Sequence, residues 1–246
     1  MRGGPISGAT KPPALAESLS LTTAVLTPDL ADAVRASLIA AFEGARAESA
    51  PYRHWAVKSV FPDGLTQLLR RLPFSAPDLH GVSGKRELHN DQRHYFDAPT
   101  NARFAPCAAV AAAFQSQAVT RAIERTTGAD LSGSYVRLEF AQDREGFWLQ
   151  PHTDLGVKRF TMLIYLSDGA DQADLGTDMY ADPDTWAKRS PFIDNTALVF
   201  VPGEDTWHGL EPRPIVGVRR SVIMNYVTDE WRERGQLACP DFPVRT

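Results

Sequence analysis

At Ser134 the hydrophobic rhythm of this chain switches, and no other feature constrains its fold as much. Upstream the apolar residues recur at helical spacing. Thr27-Pro28-Asp29 reads as an N-cap, a first-turn proline and an early acid; Leu30, Val34, Leu38 and Phe42 follow at four-residue steps, and Gly44 supplies a stop. A second helix is predicted over 63–72. A third runs through the alanine-rich stretch from Cys107, with a break near Ser116 and an end at Gly128. Downstream, SYVRLEF, RFTMLIYL, TALVFV and VRRSVIMNYV are short, β-branched or aromatic, and separated by Gly, Asp and Pro clusters, which is the pattern of strands. Helices first and strands after predict an α+β fold, with the helices packed on one face of a β-sandwich or open barrel. A double-sheet jelly roll is one such arrangement, and the strand pattern does not separate it from other sandwiches.

The 246 residues fit one large domain better than two, because no internal linker interrupts them. The predicted organisation is a flexible leader over 1–20 and a single domain over 21–246. Within that domain, helices occupy 27–130 and the sheet core 134–228. Hydrophobic residues at 43% and charged residues at 23% are ordinary for a protein that buries a full core. A net charge of −4 gives no general attraction to nucleic acid or anionic membrane. No apolar stretch is long enough to span a bilayer, and the N-terminus lacks the apolar segment of a signal peptide. Cys107 and Cys239 are too few for a disulfide framework and read as free thiols in a reducing compartment. The expected location is cytoplasmic. Nothing in the sequence sets the oligomeric state.

The chemistry gathers late in the chain. In FWLQPHTD, Pro151 biases Gln150 towards extended backbone, which favours a strand-end for the residues that follow. Side chains two apart on a strand share a face, so His152 and Asp154 can converge on one ion while Thr153 points away. His208 follows a Pro-Gly turn in VFVPGEDTWHGL and is expected on the rim of the sheet. Two imidazoles and a carboxylate on one face of a metal, with positions left open, suit a non-haem Fe(II) centre. In VRRSVIMNYV, alternation places Arg219, Ser221 and Ile223 on one face and Val218, Arg220, Val222 and Met224 on the other. A buried arginine is costly without an anion, and a bidentate carboxylate matches its guanidinium.

His152-x-Asp154, His208 and Gly217-x-Arg219-x-Ser221 together resemble the signature of the Fe(II)- and 2-oxoglutarate-dependent dioxygenases, prolyl-hydroxylase-like members included. The resemblance covers roughly residues 134–227, and its specificity lies in the order of the elements and the offset of eleven from His208 to Arg219. It implies a double-stranded β-helix (jelly roll) with the N-terminal helices packed on one sheet. It implies iron held by His152, Asp154 and His208, and 2-oxoglutarate held through its distal carboxylate by Arg219 with help from Ser221. Tyr165 stands where related enzymes often set a phenol against that carboxylate. The implied reaction consumes O2, releases succinate and CO2, and most commonly hydroxylates the substrate. Iron halogenases of this broad family usually lack the acidic ligand, so Asp154 favours hydroxylation, desaturation or oxidative demethylation. One departure stands out: the common Gly-Gly-x-Leu strand reads here as Asp174-Leu175-Gly176-Thr177-Asp178-Met179-Tyr180.

Other readings stay open at this point. The same ligands could hold catalytic zinc in a hydrolase, though the usual His-Glu-x-x-His helix is absent. A non-enzymatic β-sandwich that binds an organic acid is a third reading. Arg219 could pair with Glu204 or Asp205, and Arg220 reads as a solvated charge. Tyr135, Arg137 and Glu139 share a face that either lines the site or forms an outward cross-strand salt bridge; the outward placement is favoured. Trp148 and Trp207 read as packing, and His80, His89 and His94 as loop histidines. The polar stretch between Arg71 and Arg103 carries a predicted strand around 93–96, and Asn90, Gln92 and Arg93 are candidate substrate contacts. The absence of a basic stripe or a protein-docking extension favours a small-molecule substrate over nucleic acid or protein.

Overall fold

The computed structural model describes residues 28–246 apart from Val82, 87–90 and Leu155. The expected leader, the Thr27 cap, His89 and Asn90 lie outside the described residues. Helix α1 spans Pro28–Glu43, and its Val34, Leu38 and Phe42 are fully buried, as the four-residue spacing requires. Strands β1 (Arg46–Glu48) and β2 (His54–Lys58) come next, then α2 (Leu65–Arg70), β3 (His94–Tyr95) and α3 (Ala98–Arg103). Helices α4 (Ala105–Gln115) and α5 (Gln117–Thr127) are separated at Ser116, whose backbone is extended, and Gly128 ends α5 with a left-handed φ of 78°.

Strands β4 (Tyr135–Asp143), β5 (Leu149–His152), β6 (Lys158–Tyr165), β7 (Asp178–Asp182), β8 (Thr185–Arg189), β9 (Thr196–Phe200), β10 (His208–Leu210) and β11 (Arg219–Val227) complete the chain. They form two antiparallel sheets. The larger runs β1-β2-β9-β6-β11-β4-β3 and the smaller β5-β10-β7-β8. The predicted α+β segregation is therefore present, with β1, β2 and β3 as additions from the N-terminal half.

Alternation along the central strands decides what packs where. Val136, Leu138 and Phe140 of β4, Phe160, Met162 and Ile164 of β6, and Val222, Met224 and Tyr226 of β11 join one core with α1, α4 and α5. The opposite face supplies Leu163, Tyr165, Leu198 and Phe200 to a second cluster with Met179 and Leu210 of the smaller sheet. The large sheet is thus covered by helices on one side and by the small sheet on the other. Among the described residues, no helix is long and apolar enough to cross a membrane.

Candidate metal centre

His208 opens β10 and is the direct cross-strand partner of His152, the last residue of β5. The pairing brings the two imidazole centroids to 4.3 Å. It demands close approach of the strands. A Cβ at Gly209 would sit 2.7 Å from the carbonyl oxygen of Leu149, so only glycine fits beside His208. His208 lies buried inside the smaller sheet and not on its rim, while His152 is half-buried.

Each histidine is oriented by its own backbone. Nδ1 of His152 lies 2.9 Å from the carbonyl oxygen of Gln150, and Nδ1 of His208 lies 3.0 Å from that of Thr206. A carbonyl only accepts, so each Nδ1 carries the proton and each Nε2 is the ring nitrogen left to face the site. Such a backbone tether fixes tautomer and ring direction in metal-ligating histidines. Burial, reinforced by His152, pushes His208 down to about 4, so it is a neutral imidazole at physiological pH.

Asp154 reaches across from the small sheet to the large one. Its Oδ1 accepts from the Lys158 ammonium, and its Oδ2 accepts from the Thr161 hydroxyl at 2.9 Å. Burial works against the ionised form, but Lys158 and His208 outweigh it and hold the carboxyl well below its usual range. Oδ2 stands 3.9 Å from Nε2 of His208. One donor atom from each of His152, Asp154 and His208 falls within 4.8 Å of the others, the single such cluster among the described residues. Two imidazoles and one ionised carboxylate match a divalent-metal donor set.

The three side chains open onto a cavity of about 550 Å³ between the sheets. Arg219, Ser221 and Ile223 line it from β11, Thr161 and Leu163 from β6, and Arg137 and Glu139 from β4. Arg219 is buried and its charge is answered by Asp143 of β4, with Nη1 at 2.6 Å from Oδ2; neither Glu204 nor Asp205 is its partner. Nε donates to the carbonyl of Leu175 at 2.7 Å, and Phe192 packs against the guanidinium. Asp143 also accepts from Arg86. Nη2 of Arg219 and the hydroxyl of Ser221 have no protein hydrogen-bond partner among the described residues.

Tyr165 is buried beneath the cavity and does not line it. Its hydroxyl is engaged with the hydroxyls of Thr177 and Ser190, at 3.0 and 2.5 Å. The atypical 174–180 segment explains itself here. A Cβ at Gly176 would collide with the carbonyl of Ser190, and Thr177 beside it reaches the cavity wall.

Other expectations change. Arg137 and Glu139 are buried at the cavity, and their salt bridge of 3.1 Å is not an outward one. The face opposite Val136 and Phe140 is covered instead of facing water: Tyr95, Trp231 and Gln236 close over Arg137, and Arg93 over Glu139. Glu139 also pairs with Arg93, and these two arginines overcome its burial to hold its pKa below the usual carboxylate range. Gln92 instead bonds Asp78. Arg220 is half-buried and pairs with Asp168 at 2.7 Å. His80 is exposed beside Asp78, and His94 stacks on Phe74. Trp148 packs on Gly84, whose Cβ would meet the indole at 2.8 Å. Tyr52 is a residue that sequence reasoning missed. Among the described residues its buried hydroxyl has no hydrogen-bond partner, and burial with the nearby Tyr165 and Asp154 raises its pKa.

No family model matches the chain, and no curated protein does. Among solved structures it is similar to a prolyl 4-hydroxylase of Phytophthora capsici, with 14% identity, 89% of this chain and 72% of that one covered, and a TM-score of 0.53. The chain shares that fold. A prolyl-4-hydroxylase of Pseudomonas putida (18% identity, 78% and 94% covered) gives a TM-score of 0.48. HygX of Streptomyces hygroscopicus, solved with nickel and 2-oxoglutarate bound, gives 0.45 at 15% identity, with 78% and 90% covered.

Proposed function

We propose that the protein is an Fe(II)- and 2-oxoglutarate-dependent oxygenase that hydroxylates a small molecule. The observation that carries this is the inward-facing set of His152, Asp154 and His208, closed to within 4.8 Å and opening on a cavity that also holds Arg219 and Ser221. The shared fold with a prolyl 4-hydroxylase supports it. On the same reading, the two facing sheets are the halves of a double-stranded β-helix.

The residues divide the work. His152, Asp154 and His208 would hold the metal. Arg219 offers its Nη2, and Ser221 its hydroxyl, to the distal carboxylate of 2-oxoglutarate, while Asp143 and Leu175 keep the guanidinium from turning. Tyr165 supports that pocket from below through Thr177. The iron and cosubstrate, when bound with O2, supply the oxidising power: 2-oxoglutarate is decarboxylated to succinate, and one oxygen atom enters a substrate C–H bond. Walls from both sheets exclude bulk water from the site and orient the substrate. A cavity of about 550 Å³ is the size of a small-ligand site.

The zinc hydrolase gives Nη2 of Arg219 and the Ser221 hydroxyl, neither of which has a protein partner among the described residues, nothing to hold. Anaerobic addition of Fe(II) and 2-oxoglutarate is expected to produce a weak visible charge-transfer band that His152→Ala abolishes. A succinate-release screen over metabolite pools, with a proline-containing peptide as a separate arm, then defines the substrate. Turnover that proceeds without oxygen would overturn the oxygenase, and release with the peptide alone would overturn the small-molecule assignment.

A further inference from the structure

A continuous hydrogen-bond chain runs from the metal-centre carboxylate into the wall of the cavity. Thr161 Oγ1 donates to Asp154 Oδ2 at 2.9 Å, Asn225 Nδ2 donates to Thr161 Oγ1 at 3.0 Å, and Arg137 Nη1 donates to Asn225 Oδ1 at 3.0 Å. All four side chains are buried, Asn225 completely. Thr161 and Asn225 are cross-strand partners on β6 and β11, and Asn225 and Arg137 are partners on β11 and β4. The chain is therefore built on the three central strands of the large sheet.

Its direction is forced. A guanidinium has only donors, and an ionised carboxylate only acceptors. Reversing the Asn225 amide would set its NH2 against Arg137 and leave its carbonyl facing a hydroxyl whose proton is committed to Asp154. Arg137 is itself clamped. It lies 4.9 Å from the centres of both Tyr95 and Trp231, donates to Gln236 at 2.9 Å, and pairs with Glu139. Such a fixed cation orders every donor after it.

We infer that Thr161 and Asn225 are positioning residues that hold the Asp154 carboxylate for metal binding, with Arg137 setting the direction of their hydrogen bonds. This rests on the reading of His152, Asp154 and His208 as metal ligands. Lys158 restrains Oδ1, and the Thr161 hydroxyl restrains Oδ2, the oxygen that faces His208. A carboxylate tethered at both oxygens meets the ion with its rotamer already chosen.

The test is anaerobic titration of the full chain with Co(II) alone, following its d–d absorption. Thr161→Val keeps the shape and removes the donor; it is expected to weaken Co(II) binding by roughly 10- to 100-fold and to alter the band. Thr161→Ser retains a hydroxyl and is expected to restore both. Asn225→Asp is the sharper variant. Its new carboxylate would accept from Arg137 and from Thr161, turning the threonine proton away from Asp154, so it should mimic Thr161→Val. The double variant Thr161→Val/Asn225→Asp should then bind no more weakly than either single one. Folded Thr161→Val with wild-type affinity and spectrum overturns the inference, as does Thr161→Ser failing as badly as valine. If the valine variant does not fold, unchanged Co(II) binding by Asn225→Asp overturns it instead. A wild-type chain that does not bind Co(II), or binds it equally after Asp154→Ala, removes the metal reading itself and the inference with it. A site that binds Co(II) but ignores Thr161 and Asn225 removes the inference alone.

Discussion

The two faces of the large sheet are made from the same strands and obey opposite rules. On β11, Val222, Met224 and Tyr226 enter the helix-covered core, while Arg219, Ser221 and Asn225 point the other way. On β4, Val136, Leu138 and Phe140 alternate with Arg137, Glu139 and Asp143. Both faces are buried. The core face needs only shape, since apolar contacts have no direction. The site face buries charge, which is tolerated because each charged group is paired or hydrogen-bonded. Stability therefore belongs mainly to one face and chemistry to the other.

The largest expected effect tests that division directly. His152→Ala removes a half-buried proposed ligand, so metal binding and succinate formation should fall to background. The fold should survive, with a melting temperature lowered by no more than about 2–4 °C, the shift that roughly 1 kcal/mol produces at this size. Global unfolding of His152→Ala would mean that the site face is also structural. The mirror experiment is Phe160→Ala on the core face. Phe160 is fully buried beside Phe42 and Tyr226, and its truncation should cost about 3–5 kcal/mol in denaturant unfolding. The fraction still folded should keep wild-type metal affinity.

A pH series sharpens the contrast. Glu139 is held below its ordinary carboxylate range, so the native state binds its proton less readily than the unfolded chain does. Its contribution is therefore present above the unfolded pKa of about 4.3 and lost as pH falls below it. Glu139→Gln leaves Arg93 and Arg137 without their carboxylate and should cost about 3 kcal/mol at neutral pH. The difference from wild type should narrow in acid, whereas the Phe160→Ala penalty should stay flat. A pH-independent difference for Glu139→Gln would show that lost packing, not lost charge, explains it.

What the sequence disclosed follows the same line. Period and punctuation marked the long helices, the break at Ser116 and the four main strands, because each is written in local spacing. Strands β1 and β2 were not legible, since they are short and defined by what they pair with. Helix α3 left a signal that was passed over: Asp97 caps it by accepting from the backbone N–H of Thr100, with Pro99 in the first turn. Alternation showed that Arg137 and Glu139 share a face, but not that Tyr95, Trp231 and Gln236 close over Arg137 there. The candidate trio could be picked out from spacing, yet the direct pairing of His152 with His208 depends on a register that turns and bulges decide. Asp143 as the partner of Arg219 was equally hidden, because the two meet only when β4 and β11 align.

The smallest expected effect lies where the two faces come closest in character. Ser221 is buried on β11 beside core-facing Val222, and among the described residues its hydroxyl has no protein partner. In a purely structural position such a group is a liability, and Ser221→Ala should leave stability unchanged or raise it slightly. As a hydrogen-bond donor to the cosubstrate carboxylate, the same hydroxyl is worth about 1–2 kcal/mol of binding, or roughly a tenfold rise in the KM for 2-oxoglutarate. On the proposed function the substrate's KM should not move, because Ser221 lines the cavity beside Arg219, the proposed cosubstrate anchor. Steady-state kinetics with each reactant varied in turn separates the outcomes. An unchanged KM for 2-oxoglutarate would assign Ser221 to the structural face after all, and the boundary between the two faces would then pass between Ser221 and Arg219.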